Sequence, residues 1–456
     1  MTAAYFADLA FLPGGWAKDV RLEVDAAGGL AGVSAGAAPA GAVRLAGPVL
    51  PGLCDLHCHA FQRAMAGWTE RRSAAGDSFW TWREVMYRFA AQVLPEDLEA
   101  IAAQLYVELL MGGYTSVCEF HYLHHDRDGR PFANPAEMSQ RLAGAAARTG
   151  IGLTLLPVLY QSANFGGVPP HEGQRRFVTT VDRLLETVRA LRADPDVRVG
   201  IAPHSLRAVP PAALRAAIAG LDAIDPSAPL HIHVAEQAKE VDDCLAWSGE
   251  RPIEWLLAHA AVSPRWCLVH ATHATAAETA ALARSGAVAG LCPTTEANLG
   301  DGLFPLPGLL ADGGAFGVGS DSNVSTSALE ELRLLEYGQR LRAQRRGIAA
   351  SPSEPSPGLA LYRAAVAGGA RASGRPIGGL AAGQRADFLV IDAGAPALCG
   401  HGPETLLDAI VFGGGADPIR DVYVGGRQVI TAGRHARADA ILAAYRATAA
   451  RLATAP

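Results

Sequence analysis

Two histidines separated by one residue, His57 and His59 in CDLHCHAF, close a short apolar run at residues 47–57. Alternate residues on a strand share a face. Both imidazoles can therefore reach one point, and two neutral imidazoles converging there can bind a divalent metal. On its own an HxH pair is as readily structural or accidental as it is a pair of ligands. Two further runs strengthen the ligand reading: HIHVAE places His233 at one strand end and GVGSD places Asp321 at another. Three histidines and one carboxylate suit zinc, with iron or another first-row ion as alternatives. With an additional water or hydroxide, such a set is catalytic rather than a closed structural site.

Glu236 follows His233 in the same segment and is the expected proton carrier. A bound metal lowers the pKa of its water to about 7, and a nearby carboxylate can take that proton and later deliver it to a leaving amine. The plainer alternative is a surface carboxylate at a helix start. His270, at the end of CLVH, is expected to polarise the electrophile or stabilise the tetrahedral intermediate. Asp321 is expected both to bind the metal and to hydrogen-bond the attacking hydroxide. His231 forms a second HxH with His233 but is assigned to packing or to support of the ligands. His121, His124 and His125 in HYLHHDRDG resemble a metal cluster by composition only, and are read as a solvent-exposed or substrate-facing loop. Lys18 and Lys239 are the only lysines. None ends the fourth strand, which excludes a carbamylated lysine bridging two metals there and leaves one divalent ion as the simpler expectation.

Such side chains need a scaffold that gathers strand ends. Near-continuous apolar runs occur at 47–57, 115–122, 152–160, 197–205, 229–236, 267–272, 287–293 and 315–321, the pattern of parallel strands covered on both faces. Helical stretches such as 98–113 and 178–193 lie between them. Eight strand–helix units in series predict an α/β fold, a (β/α)8 TIM-type barrel over residues 49–370. A barrel of this kind delivers every strand's C-terminal end to one face, where active sites are built. His57, His59, Tyr122, His204, His233, Glu236, His270 and Asp321 all fall where runs end. The flanks, 1–48 and 371–436, carry short strand-like pieces with Gly and Ala turns. Neither has enough strands for a stable sheet alone, so they are predicted to pair into one small β-sandwich domain, followed by a terminal helix within 437–456.

The bulk composition narrows the partners. The 456 residues are 50% hydrophobic and 18% charged, with a formal net charge of −6, which argues against nucleic acid as an electrostatic partner. No apolar run is long enough to span a bilayer, and the N-terminus lacks a signal-peptide pattern, so no membrane partner is expected. Seven cysteines without a CxxC, several inside apolar runs, suit a reducing, cytoplasmic setting better than a disulfide framework.

The set LHCH, HVAE, the sixth-strand histidine and GSD is similar to the amidohydrolase superfamily, in its mononuclear deaminase branch. GGARASGRPIGGLAAGQRADFLVID (368–392) resembles the segment with which such chains return from the barrel to the β domain. Longer stretches, among them GDSFWTWREVMYRF (76–89), EFHYLHHDRDG (119–129) and HIHVAEQAKEVDDCLAWSGERPIEWL (231–256), resemble the formimidoylglutamate deiminases of histidine degradation within it. That resemblance spans essentially the whole chain. It implies hydrolysis of N-formimidoyl-L-glutamate to N-formyl-L-glutamate and ammonia, by attack of a metal-bound hydroxide on the formimidoyl carbon. The substrate carries two carboxylates, which call for fixed cations, ideally bidentate arginines. The family-like positions offer Arg83 in FWTWRE and Arg207 after APHS, with Gln62, Tyr122 and His204 as hydrogen-bond partners. Outside those motifs each arginine would read as a surface ion pair. The resemblance also implies a homodimer.

Three other readings compete. A related deaminase of another amidine, a guanidine or a nucleobase would share the metal centre and differ only in its pocket. A non-catalytic metal-binding barrel would have no use for Glu236 or His270. A metallo-β-lactamase-type hydrolase calls for HxHxDH, whereas AFQR follows His59 here.

Overall fold

The computed structural model describes residues 3–70, 78–415 and 417–453; Gly76 and Asp77 of the GDSFWTW stretch, with residues 1–2 and 454–456 of the terminal segments, lie outside them. Eight strands in chain order make the central sheet: β1 (Leu53–Cys58), β2 (Tyr114–His121), β3 (Gly152–Leu159) and β4 (Val197–Val199 with Ala202–Pro203), then β5 (Leu230–Val234), β6 (Trp266–His270), β7 (Val288–Leu291) and β8 (Ala315–Val318). Each pairs in parallel with the next, β1 through β4 and β5 through β8. Short parallel bridges join the two halves, Ile201 to Leu230 and Ser205 to His233 on one side, Cys58 to Asp321 on the other. The ring is closed, as the sequence predicts.

The closing seam has a functional consequence. The Asp321 N–H donates to the His57 carbonyl at 2.8 Å, and the His59 N–H donates to the Asp321 carbonyl at 3.0 Å. Three of the four expected metal ligands therefore meet where the barrel's last strand finds its first. Close approach there depends on Gly319: a Cβ at that position would lie 2.7 Å from the His57 nitrogen and 2.8 Å from its carbonyl oxygen.

Strands β1, β2, β3, β5, β6 and β7 are buried at every position, because helices cover the outside while side chains fill the inside. The helices start where local chemistry stops the chain. Thr275 and Glu278 cap each other's backbone N–H groups, at 3.2 and 2.8 Å, to open the helix Ala276–Ser285, a reciprocal box that satisfies two otherwise orphaned donors. The Thr180 hydroxyl accepts from Arg183 N to open Val181–Leu191, three residues inside the start of the helical stretch expected at 178–193. The Pro/Ser stretch 351–358 ends as a helix start, with the Ser356 side chain accepting from Leu359 N at 3.1 Å and Pro357 at the first helical position.

Two runs differ from their sequence reading. The apolar run at 47–57 is two strands, not one. Val49–Pro51 pairs antiparallel with Phe388–Val390 in the small sheet, and after Gly52 the chain turns into β1. The run at 197–205 breaks at Gly200–Ile201, because Gly200 N still donates to Leu155 on β3 while Ile201 N already donates to Pro229 beside β5.

Both chain ends build the small domain. Its nine-stranded sheet runs 434–435, 427–431, 419–424, 388–391, 49–51, 3–12, 15–24 and 30–34, with 43–44 beside 3–12. The sheet curls until its two halves face each other. Tyr5 and Tyr423, on strands that are not neighbours, have ring centroids 5.2 Å apart, and the Tyr5 hydroxyl donates to the Gly426 carbonyl at 2.6 Å. Alternation along 388–391 divides the load: Phe388 and Val390 enter the small domain's core, Leu389 and Ile391 that of the barrel. The terminal helix Ala438–Ala453 packs on the helix Pro95–Met111, where Arg451 pairs with Asp97.

Candidate active site

The expected ligands converge. The His57 and His59 rings lie 4.7 Å apart, centroid to centroid. His57 Nε2 and His59 Nε2 each stand 3.4 Å from Asp321 Oδ1, and His233 Nε2 stands 3.0 Å from His57 Nε2. Protonation follows from the second ring nitrogens. His59 Nδ1 is 2.9 Å from the Phe120 carbonyl and His233 Nδ1 is 2.9 Å from the His204 carbonyl. A carbonyl only accepts, so both Nδ1 atoms carry hydrogens and both Nε2 atoms present lone pairs. Burial above all keeps these imidazoles neutral, lowering His57 to about 3 and depressing His59 and His233 as well. Burial alone would push the Asp321 carboxyl up, but the neighbouring imidazoles, His57 first, hold it below the usual carboxylate range. Acceptors thus crowd one buried point with too few hydrogens among them. A divalent cation satisfies such a set, and the carbonyl-anchored imidazoles are the arrangement that orients metal ligands.

Backbone groups lock this cluster through residues the sequence reading passed over. Asp55 accepts from the Ser320 N–H at 2.9 Å and the Ser320 hydroxyl at 2.5 Å, and burial raises its carboxyl to about 7. Asn323 Nδ2 donates to the carbonyls of His59, at 3.0 Å, and Asp321, at 2.9 Å. Strain marks the same strand ends: Ala235, His270, Ala271, Asp321 and Asn323 all have φ between 49° and 68°. Each such non-glycine residue costs on the order of 1–3 kcal/mol and persists only where its surroundings enforce it.

Glu236 and His270 stand beside the ligands. His270 Nε2 is 3.9 Å from Glu236 and 3.7 Å from Asp321, while its Nδ1 is 3.3 Å from Glu296 Oε1. Glu296 is fixed in turn by the Cys292 N–H at 2.9 Å. Burial would lower His270, but Glu236, Glu296 and Asp321 outweigh it and raise it to about 10. Burial lifts Glu236 to about 7 against the pull of His270 and Arg207. That value suits a group that both takes and returns a proton near neutrality. Glu240 fixes the turn beneath it by accepting the N–H groups of Ala235 and Glu236 at 3.1 and 3.2 Å. A carboxylate four residues after Glu236 was the only hint of this in the sequence.

One cavity joins this cluster to all five expected substrate contacts, Gln62, Arg83, Tyr122, His204 and Arg207. Gln62 Nε2 donates to the Tyr122 hydroxyl at 2.7 Å, and its own Oε1 is buried without a partner. His204 is kept neutral chiefly by burial and by Arg207; its carbonyl also orients His233. Arg207 lies 3.5 Å from Glu236 and 3.7 Å from Glu240. Arg83 rises from the helix Phe79–Ala90 and stacks on Trp80, 4.6 Å from the ring centre. Its Nε is buried without a hydrogen-bond partner, and it has no carboxylate partner among the described residues.

The remaining histidines sit elsewhere. His231 is buried and bonded to the Ala372 carbonyl at 2.8 Å, a packing role. His124 and His125 do not form the exposed or substrate-facing loop that the sequence suggests. Both turn inward, each ring 2.7 Å from a carbonyl, of Val158 and of Val178, and His121 is buried too. Carbonyls along β3 and the loop after it offered acceptors that a linear reading could not see.

A family model described as "Amidohydrolase family" matches residues 49–429. The chain belongs to the amidohydrolase family. A second model, "Formimidoylglutamate deiminase HutF, N-terminal domain", matches residues 2–47. This amidohydrolase is 56% identical over 438 residues to the formimidoylglutamate deiminase of Pseudomonas aeruginosa, covering 95% of this chain and 96% of that one. It is 29% identical to the 8-oxoguanine deaminase of the same organism, over 81% of this chain and 77% of that one. Among solved structures, an amidohydrolase from Brucella melitensis superposes with a TM-score of 0.94 at 46% identity, covering 99% of this chain and all of that one. Buried groups of His57, His59 and Asp321, and of His57, His233 and His270, bring ligand atoms close enough to hold a divalent metal ion. No helix among the described residues is long and apolar enough to cross a membrane.

Proposed function

We propose that this amidohydrolase hydrolyses N-formimidoyl-L-glutamate to N-formyl-L-glutamate and ammonia, a step of histidine degradation. The observation that carries the reading is Arg83: a guanidinium with a buried, unpartnered Nε and no carboxylate of its own among the described residues, opening onto the cavity that holds Glu236 and His270. Such a cation asks for an anionic ligand, and with Arg207 it supplies two fixed charges for two carboxylates. Identity of 56% to a formimidoylglutamate deiminase supports the same substrate.

His57, His59, His233 and Asp321 hold one divalent ion, zinc by the chemistry of its nitrogen and oxygen donors. When bound, that ion acts as a Lewis acid and acidifies a water. Glu236 takes a proton from the attacking water as its oxygen bonds to the formimidoyl carbon. It passes that proton to the terminal nitrogen, then relays the proton left on the added hydroxyl to the same nitrogen, so that the C–N bond breaks with ammonia as the leaving group and the formyl C=O forms in its place. His270, held cationic by Glu296 and its neighbours, offers Nε2 to the charge that develops at the reacting centre. Asp321 orients the attacking water. Gln62, Tyr122 and His204 hydrogen-bond the body of the substrate while Arg83 and Arg207 hold its carboxylates.

A reducing cytoplasmic setting is supported by the seven cysteines, all free and six of them buried. A homodimer completes the proposal, and sedimentation of the purified protein tests it. Ammonia release from formimidoylglutamate by metal-loaded protein tests the function. Strong turnover is expected, with negligible release from a neutral aminopurine; comparable turnover of the purine would favour a nucleobase deaminase instead.

A further inference from the structure

Gln174, in the segment after β3, is fully buried and bridges two tyrosines to which the mechanism above gives no part. Its Nε2 donates to the Tyr160 hydroxyl oxygen at 2.6 Å and to that of Tyr87 at 3.1 Å. A backbone group sets the amide's orientation. The His171 N–H donates to Gln174 Oε1 at 3.1 Å, and an N–H cannot accept, so the NH2 must face the phenols. Each phenol oxygen is therefore an acceptor towards Gln174, and neither phenol proton is spent on it. At most one of those protons can serve the other tyrosine. At least one O–H is left to point away from the pair.

Both rings line the cavity that contains Arg83 and Arg207. Tyr87 lies one helical turn beyond Arg83, whose guanidinium sits 5.6 Å from the Tyr87 ring centre. Tyr160 follows β3 directly and is almost wholly buried. A hydroxyl donor already hydrogen-bonded as an acceptor, and flanked by guanidinium groups, is suited to a carboxylate oxygen.

We propose that Tyr87 and Tyr160, with their protons directed by Gln174, form a donor pair that binds one carboxylate of the substrate beside the arginines. The pair is a specificity determinant, and Gln174 is its positioning residue. This rests on the deiminase reading. If metal-loaded wild-type protein releases no ammonia from formimidoylglutamate, that reading falls and the pair's role falls with it, before any variant is compared.

With wild-type turnover established, the test is steady-state kinetics of Tyr87→Phe, Tyr160→Phe and the double variant, which keep both rings. The substrates are formimidoylglutamate and two analogues, one lacking the α-carboxylate and one the γ-carboxylate. For the full substrate the double variant is expected to raise KM roughly ten- to a hundredfold with kcat nearly unchanged, the sign of lost uniform binding. On the analogue lacking the carboxylate that the phenols hold, the variants and wild type should share one KM. Gln174→Glu would accept both phenol protons, so it should raise KM like the double variant and add nothing further in that background. An unchanged KM, equal sensitivity on both analogues, or an additive Gln174→Glu effect would overturn the proposal. Thermal melting shows that each variant is folded.

Discussion

Replacing each cavity arginine by methionine should give two different kinetic phenotypes, because their surroundings differ. Arg83 stacks on Trp80 and has no carboxylate partner among the described residues. Arg83→Met should cost about 1.5–3 kcal/mol of substrate binding, the worth of a hydrogen bond to a charged group, and so raise KM roughly ten- to a hundredfold with kcat intact. Arg207 instead stands 3.5 Å from Glu236 and 3.7 Å from Glu240. Unit charges at such separations interact by about 4 kcal/mol at an effective dielectric of 20, and an arginine beside a carboxylate commonly lowers its pKa by roughly one to three units. Arg207→Met should therefore raise Glu236 further above its present value of about 7. Glu236 must be ionised to accept a proton, so the acid limb of the kcat profile should move to higher pH. Near pH 8, a rise of one to three units should then lower kcat by roughly two- to ninetyfold, in addition to the rise in KM. Ammonia release from pH 6 to 10, on protein of verified metal content, measures both. If Arg207→Met raised KM alone and left the pH profile in place, the coupling of Arg207 to Glu236 would be refuted.

Three further outcomes are expected. Glu236→Gln should retain metal yet lose roughly 10²- to 10⁴-fold in kcat, as followed by ammonia release; activity within tenfold of wild type would remove Glu236 as the proton carrier. Gly319→Ala should push against the His57 backbone, destabilise the fold by about 1–3 kcal/mol, and lower metal content by elemental analysis. Chelation should lower the melting temperature and metal return should restore it, since an ion that binds only the folded state stabilises it by mass action; an unchanged melting curve would contradict the buried site.

Much of this centre was legible in the sequence for one reason. Parallel strands covered on both faces appear as unbroken apolar runs, so a polar side chain at a run's end stands out. His57, His59, His233, His270 and Asp321 could be found that way. Asp55, Glu240, Glu296 and Asn323 could not. Asp55 and Asn323 hold backbone groups of residues far away in sequence, which come within reach only once the barrel has closed, while Glu240 and Glu296 hold N–H groups four or five residues back in the turns after β5 and β7. His124 and His125 failed for the same reason in reverse, since their composition suggested exposure while carbonyls of Val158 and Val178 drew them inward. Gln174 had no signal at all; its importance lies in which way a backbone N–H turns its amide.

The central claim is that His57, His59, His233 and Asp321 share one divalent ion. An anomalous-scattering map of crystals of the metal-loaded protein tests it most directly. It should show a single peak with three imidazole nitrogens and one Asp321 oxygen at about 2.0–2.2 Å. Two peaks, or one peak held instead by His270, Cys292 and Asp321, which also approach one another closely, would contradict it.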